Sequence, residues 1–192
     1  SRLGRARLLI NDVLDTAEGD RVGLVAFAGG TRVMSPLTSD FAYVRTVLED
    51  LTPEAVVRGG SMIGDAVRLC LDTLFRIDEE DHEDDGDNDD AARYRDLIII
   101  SDGEDQGSLP REAAKEAARE GVRIISVGLG STGEGATIPI EGEDGRRVLR
   151  HRGEVVRSSL KEDVLRDVAE TTPGGVYLGV GTGTVRMDEV YR

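Results

Sequence analysis

Short runs of consecutive apolar residues constrain this fold more than any other feature of the sequence. The segments "LIII" (97–100) and "VRIISVGLG" (122–130) carry mostly apolar side chains at successive positions rather than at every second position. A strand of this kind is apolar on both faces and has to be covered on both, which is typical of a parallel sheet between two layers of helices. The runs therefore predict buried strands of an α/β domain.

Segments with helical periodicity alternate with the strands. Apolar residues recur at helical spacing in these segments, which lie at about 3–17, 40–51, 62–75, 109–120 and 159–170. The other predicted strands are "RVGLVAFA" (21–28), "TRVMSPLT" (31–38, ending near Pro36) and "VYLGV" (176–180). This order predicts a single three-layer α/β/α domain over residues 1–192, Rossmann-like, with a mostly parallel central sheet flanked by helices. The chain begins with a helix, whereas such folds normally begin with a strand.

The negative charge of the chain is concentrated in one segment. The net charge is −14, from 24 basic and 38 acidic residues, and the run from Asp78 to Asp90 contains ten acidic residues and no Lys or Arg. Such a run repels itself, so we expect 78–90 to be a solvated, disordered insert. The acidic balance argues against nucleic acid as a partner. No apolar run approaches the roughly 20 residues of a membrane span, so this segment is expected to be soluble and not inserted in a membrane.

The polar, glycine-rich segment 131–157 predicts a hairpin or an extended excursion from the sheet. It begins within "GLGSTG" (128–133), which matches the dinucleotide-binding fingerprint. That fingerprint needs a helix directly after it to hold the pyrophosphate, and the residues that follow cannot begin a helix. We therefore interpret the motif as a glycine-rich turn.

The sequence has one cysteine, Cys70. A single cysteine excludes an internal disulfide bond and a cysteine-rich zinc site. Because Cys70 falls in the apolar stripe of the helix predicted at 62–75, it is expected to be a small core residue.

The segment "SDGED" (101–105) is the strongest candidate for a functional site. It follows a buried strand, and ligands of open α/β sheets bind at the carboxyl ends of the strands. Asp102 is there either a ligand for a hard cation or a cap for the turn at Gly103. Ser61, in "GGSMIGDAV" (59–67), precedes a predicted helix and is by itself most simply an N-cap.

An enzyme is the alternative class of function. A metal-dependent or carboxylate hydrolase would use Asp102, Glu104 and Ser61. The two histidines of the sequence, His82 and His151, do not follow a strand beside a nucleophile. The sequence therefore offers no positive sign of nucleophilic catalysis, and no catalytic residue is assigned.

The ordered set of motifs resembles the von Willebrand factor A domain family. The resemblance covers nearly the whole chain, and its final segment is similar to the bacterial aerotolerance-operon (Bat-type) branch. The segments that carry it are "RVGLVAFAGGTRVMSPLTSD" (21–40), "GGSMIGDAV" (59–67), "LIIISDGED" (97–105), "VRIISVGLGSTGEGATIPI" (122–140) and "GEVVRSSLKEDVLRDVAETTPGGVYLGV" (153–180).

The resemblance implies a metal-ion-dependent adhesion site for Mg²⁺ or Mn²⁺, with Ser61 at the family's Thr position and Asp102 at its Asp position. Ser for Thr retains the hydroxyl ligand, and oxygen ligands suit a hard cation. The family's D-x-S-x-S loop, which supplies the other ligands, and the strand before it are not in the sequence, so we expect both upstream of Ser1. That strand would lie centrally, between 21–28 and 96–100. Ser61 and Asp102 alone are not expected to bind Mg²⁺ tightly.

The resemblance also implies a function and a setting. It implies a non-enzymatic protein-interaction domain whose metal accepts an Asp or Glu from a protein partner. It further implies a bacterial, envelope-associated complex, periplasmic or membrane-attached, with an AAA-type ATPase and sister domains as partners. A metal-independent scaffold with a degenerate site is the remaining alternative.

Overall fold

A computed structural model describes residues 2–17, 19–56, 59–76, 95–130 and 160–180, together with the backbone of short strands between residues 136 and 158. The helices are α1 (Arg2–Thr16), α2 (Phe41–Asp50), α3 (Ile63–Leu69), α4 (Pro110–Arg119) and α5 (Glu162–Glu170). The longer strands are β1 (Val22–Phe27), β2 (Thr31–Thr38), β3 (Arg95–Ser101), β4 (Val122–Leu129) and β11 (Val176–Val180). The shorter strands are β5 (Ala136–Thr137), β6 (Pro139–Gly142), β7 (Gly145–Val148), β8 (Arg150–His151), β9 (Glu154–Val155) and β10 (Arg157–Ser158).

Strands β3, β4 and β11 form a parallel sheet with β4 in the middle. Ile98 pairs with Ile125 on one side of β4, and Leu178 pairs with Val127 on the other. Parallel strands need crossover connections, which α4 provides between β3 and β4 and α5 provides before β11. The predicted three-layer α/β/α class with a mostly parallel sheet is confirmed.

Strands β1 and β2 form an antiparallel hairpin, and its turn is closed by a hydrogen bond of 2.8 Å from the Ala28 amide to the Gly30 carbonyl. The strand β2 continues through Pro36 to Thr38, two residues beyond the predicted end. Proline is accepted in this strand because it lies in a two-stranded ribbon, where its missing amide costs no ladder bond on the outer side.

The core has a part on each face of the sheet, as the apolar runs require. On one face Ile99, Val122 and Ile124 pack with the buried sides of α3, α4 and α5. On the other face Val127 and Leu129 pack with residues of α1. The helix α4 approaches the sheet closely because the residues on its inner side are alanines, which are Ala113, Ala114 and Ala117.

A cleft separates the β1–β2 hairpin from the three-stranded sheet. The strands β1 and β3 line a cavity of about 1150 Å³ from opposite sides. Within the described residues no ladder joins β1 to β3. The further strand that the family resemblance implies between them stays a prediction.

The polar segment predicted at 131–157 contains antiparallel pairings in its described backbone: β5 with β10, β6 with β7 and β8 with β9. The acidic run 78–90 lies outside the described residues. Among the residues that are described, no helix is both long enough and apolar enough to cross a membrane.

The helix predicted at 62–75 changes its geometry at Cys70. It is α-helical to Leu69 and then π-helical from Cys70 to Phe75. The buried residues of the π-helical turn are Cys70, Leu71, Leu74 and Phe75. Cys70 is buried, as expected, and burial raises the pKa of its thiol to about 12 from an ordinary 9.0.

This thiol predicts a loss of stability at alkaline pH. Below pH 9 the Cys70 thiol is protonated in both the folded and the unfolded chain; between pH 9 and 12 only the unfolded chain ionises it. The free energy of unfolding should therefore fall by about 1.4 kcal/mol per pH unit from this group alone. Urea titrations from pH 8 to 11 on the wild type and Cys70→Ala measure this, since the variant should lose that part of the slope. Equal slopes would contradict the assignment.

Candidate functional site

Asp102 is the first residue after β3, at the carboxyl edge of the sheet. Its side chain is only 13% exposed. One carboxylate oxygen, Oδ2, accepts a hydrogen bond from the Arg2 guanidinium at the start of α1. The other, Oδ1, accepts one from the Glu104 amide at 3.3 Å. Asp102 therefore caps the turn that follows it and also forms an ion pair with the Arg2 guanidinium.

The backbone around Asp102 is held against the start of α5. The Asp102 carbonyl accepts a hydrogen bond of 2.8 Å from the Lys161 amide. Gly103 has φ of +77°, and a Cβ there would overlap the Lys161 carbonyl oxygen. The positive φ and this overlap both require glycine at 103, as the turn-cap interpretation expected.

Ser61 lines the same cavity as Asp102 and Arg2. Its carbonyl oxygen accepts a hydrogen bond of 2.9 Å from the Gln106 amide. The residue at the N-cap of α3 is Met62, which forms no side-chain cap bond. The interpretation of Ser61 as the N-cap is therefore wrong. The structure places Ser61 beside the loop that follows β3.

Asp105, which was assigned no role from the sequence, supplies the missing cap of α3. Its Oδ1 accepts a hydrogen bond of 2.9 Å from the Ile63 amide, although the two residues are 42 positions apart. Its Oδ2 accepts one of 2.9 Å from the Ser108 amide, and the Ser108 hydroxyl also donates to Oδ1. The three-residue spacing of Asp105 and Ser108 is typical of a local capping turn. It is the one feature of the sequence that could have indicated a structural role for Asp105.

Glu104, the third residue of the hydrolase alternative, is half-buried, and its amide belongs to the Asp102 turn. His82 and the side chain of His151 lie outside the described residues. In the part of the chain that the structure describes, no group of three or more His, Cys, Asp or Glu residues is placed to hold a metal ion. The described residues thus assemble no complete metal site by themselves.

Ser61 and Asp102 nevertheless fit a hard divalent cation as part of its ligand set. Hydroxyl and carboxylate oxygens are the ligands that Mg²⁺ and Mn²⁺ prefer. In addition, Asp102 already pairs with a positive group, the Arg2 guanidinium, at the edge of the cavity. Among the described residues this donor set is incomplete.

Comparisons with known proteins agree with this architecture. The family model described as von Willebrand factor type A domain matches residues 1–104. The solved structure of BatB from Bacteroides thetaiotaomicron is 30% identical, with a TM-score of 0.81 over 100% of this chain and 85% of that chain. An aerotolerance-related membrane protein from Bacteroides fragilis is 30% identical, with a TM-score of 0.77 over 94% of this chain and 81% of that one.

A curated relative is longer than this chain. An uncharacterised protein of Borreliella burgdorferi is 26% identical over 136 residues, which are 70% of this chain and 36% of that protein. The chain thus spans about a third of the curated relative that it matches.

More distant structures share the fold alone. A mussel byssus protein, proximal thread matrix protein 1, solved with a zinc-occupied MIDAS motif, is 16% identical, with a TM-score of 0.63 over 96% of this chain and 38% of that one. The manganese-loaded TRAP protein of Plasmodium vivax is 11% identical, with a TM-score of 0.58 over 97% and 62%.

The close contact of Gly64, in α3, with the loop that follows β3 predicts that Gly64→Ala lowers the stability of the protein. Alanine in a helix normally stabilises by about 0.5–1 kcal/mol relative to glycine. At Gly64 a Cβ would overlap the backbone carbonyl oxygen of Ser108. The substitution should therefore lower the free energy of unfolding, by about 1–3 kcal/mol. Chemical denaturation measures the sign of this change in the free energy of unfolding. A stabilised variant would show that Gly64 and Ser108 are not in close contact.

Proposed function

Because the chain belongs to the von Willebrand factor type A domain family, we propose that it is a non-enzymatic protein-interaction domain that binds an acidic group of a protein partner through a divalent cation. The observation that carries this proposal is the hydrogen bond from the Gln106 amide to the Ser61 carbonyl, which holds Ser61 against the loop that Asp102 begins at the carboxyl edge of the sheet. Mg²⁺ and Mn²⁺ are the proposed cations, because both donors are hard oxygen ligands.

Asp102 would supply the charged ligand and Ser61 a neutral one. The cation would contribute a concentrated positive charge, to which a carboxylate of the partner binds directly. Water and residues outside the described set would complete the octahedron, since Mg²⁺ usually keeps several water ligands. The role of the fold is to hold the Asp102 turn and the Ser61 loop beside one cavity.

The net charge of the chain supports a role for a cation. A domain with a formal charge of −14 repels an acidic partner at long range. A divalent cation at Asp102 would reverse the local charge and permit the contact. The guanidinium of Arg2 now pairs with this carboxylate, so cation and guanidinium would compete for it.

We also propose a bacterial, envelope-associated complex as the setting, with an AAA-type ATPase and sister domains of the same family as partners. The similarity to two Bacteroides proteins, one described as a membrane protein, supports this setting.

The central prediction concerns Asp102→Asn. This change should lower Mn²⁺ affinity at least about tenfold, because the neutral amide loses the charged ligand. Asp96→Asn is the matched control: Asp96 lies in β3, is 15% exposed and pairs with Arg123, but it is at the start of that strand, whereas Asp102 follows its end. In ¹⁵N-labelled protein, Mn²⁺ should broaden the NMR signals of Ser61 and Gly103 in the wild type and in Asp96→Asn. It should leave them sharp in Asp102→Asn.

The signals of individual amides are followed because the acidic run 78–90 also attracts Mn²⁺ and would dominate a measurement of total uptake. If these signals broaden equally in all three proteins, or in none, the cation site is wrongly assigned. Absence of broadening in the wild type would favour a metal-independent scaffold.

The contact of Arg2 with Asp102 gives a second prediction. Arg2→Gln removes the competing charge, so Mn²⁺ affinity at the site should increase by a few-fold, consistent with about 0.2–1 kcal/mol for an ion pair whose arginine side chain is 39% exposed. Arg5→Gln, an exposed change on the same helix, controls for net charge. A lower affinity in Arg2→Gln would instead show that Arg2 helps to build the site.

A further inference from the structure

Two loops that are distant in sequence meet at the candidate site. The Ser61 loop (residues 59–62) leads into α3, and the Asp102 loop (residues 102–109) joins β3 to α4. Three hydrogen bonds connect the Ser61 loop and the start of α3 to the Asp102 loop. They run from the Gln106 amide to the Ser61 carbonyl (2.9 Å), from the Ile63 amide to the Asp105 carboxylate (2.9 Å) and from the Gly64 amide to the Ser108 hydroxyl (2.7 Å).

Asp105 is at the centre of these contacts. Its carboxylate accepts a hydrogen bond from the Ile63 amide at the start of α3. It also accepts hydrogen bonds from the amide and the hydroxyl of Ser108, in its own loop. Hydrogen bonds to a charged acceptor are shorter and stronger than those between neutral groups. Ser108 is 5% exposed, so water cannot easily replace these bonds.

The start of α3 depends on this contact, because its N-cap residue, Met62, supplies no side-chain bond of its own. Ser61 is the residue before Met62, and its carbonyl is held by the Gln106 amide. The position of Ser61 is thus fixed from the opposite loop. Asp102, in contrast, is held separately by the Lys161 amide and by Arg2.

We infer that Asp105 is a positioning residue: its carboxylate holds the Ser61 loop against the Asp102 loop, so that Ser61 and Asp102 face one cation. The inference rests on the proposed cation site for its functional consequence. Loss of Asp105 would release Ser61 but leave Asp102 in place.

Amide hydrogen exchange tests the structural part of the inference on the full chain. Asp105→Ala should accelerate exchange of the Ile63 and Ser108 amides, which it binds, by about tenfold. It should also accelerate exchange of the Gln106 and Gly64 amides, whose acceptors are Ser61 and Ser108. A local role would change only the amides of Ile63 and Ser108. Unchanged exchange at Gln106 and Gly64 overturns the inference.

Asp40→Ala is the matched control. Asp40 is the N-cap residue of α2 and accepts a hydrogen bond of 3.0 Å from the Tyr43 amide, a cap contact within its own segment of the chain. It should accelerate exchange at Tyr43 and leave Gln106 unchanged. Asp105→Asn, which retains one acceptor oxygen for Ile63, provides a milder variant and should give intermediate exchange rates if Asp105→Ala unfolds. Wild-type rates in Asp105→Asn at all four amides would contradict a role for the carboxylate charge.

Mn²⁺ broadening tests the functional part. In Asp105→Asn, Mn²⁺ should still broaden the Gly103 signal but affect the Ser61 signal less than in the wild type, whereas Asp40→Ala should match the wild type. Equal broadening of both signals in Asp105→Asn overturns the inference. If Mn²⁺ broadens neither signal in the wild type, the proposed cation site fails, and the exchange rates still decide whether Asp105 joins the loops.

Discussion

Burial of β4 on both faces is the constraint on which the other features depend. Ile124 and Val127 belong to core clusters on opposite sides of the sheet, so β4 needs a helical layer on each side. Its neighbours β3 and β11 run parallel to it, which requires a crossover through α4 and another through α5. Parallel strands end at one edge of the sheet, and there Asp102 emerges from β3 beside the loop that contains Ser61.

Features that depend on local pattern could be predicted from the sequence. The apolar runs predicted β3 and β4, and the alternation of strands and helices predicted the layers. Cys70 was correctly predicted as a core residue, but the π-helical turn that begins there was not. The buried residues Cys70, Leu71, Leu74 and Phe75 have the spacing of an ordinary α-helical stripe, so periodicity cannot reveal that turn.

Of the candidate site, only the residues that the order of the motifs identifies could be predicted from the sequence. Ser61 and Asp102 were singled out by family resemblance, and the structure places both on one cavity. The partners of these residues were not predictable. Arg2 and Asp102 are 100 positions apart, and Asp105 and Ile63 are 42 apart, so only the folded chain shows that each pair is in contact. Local spacing also gave a misleading N-cap at Ser61, because the cap comes from another loop.

Asp102 and Asp105 show why neighbouring carboxylates in one motif can have different roles. The oxygens of Asp105 accept hydrogen bonds from the Ile63 amide and from the amide and hydroxyl of Ser108. These neutral donors hold the carboxylate in one position. Asp102 gives one oxygen to its own turn and the other to the Arg2 guanidinium, whose side chain is 39% exposed, at a cavity. A cation can replace a guanidinium, but it cannot replace a set of backbone amides. The environment therefore favours Asp102 for binding and Asp105 for position, and the contact of Asp105 with Ile63 is visible only in the folded chain.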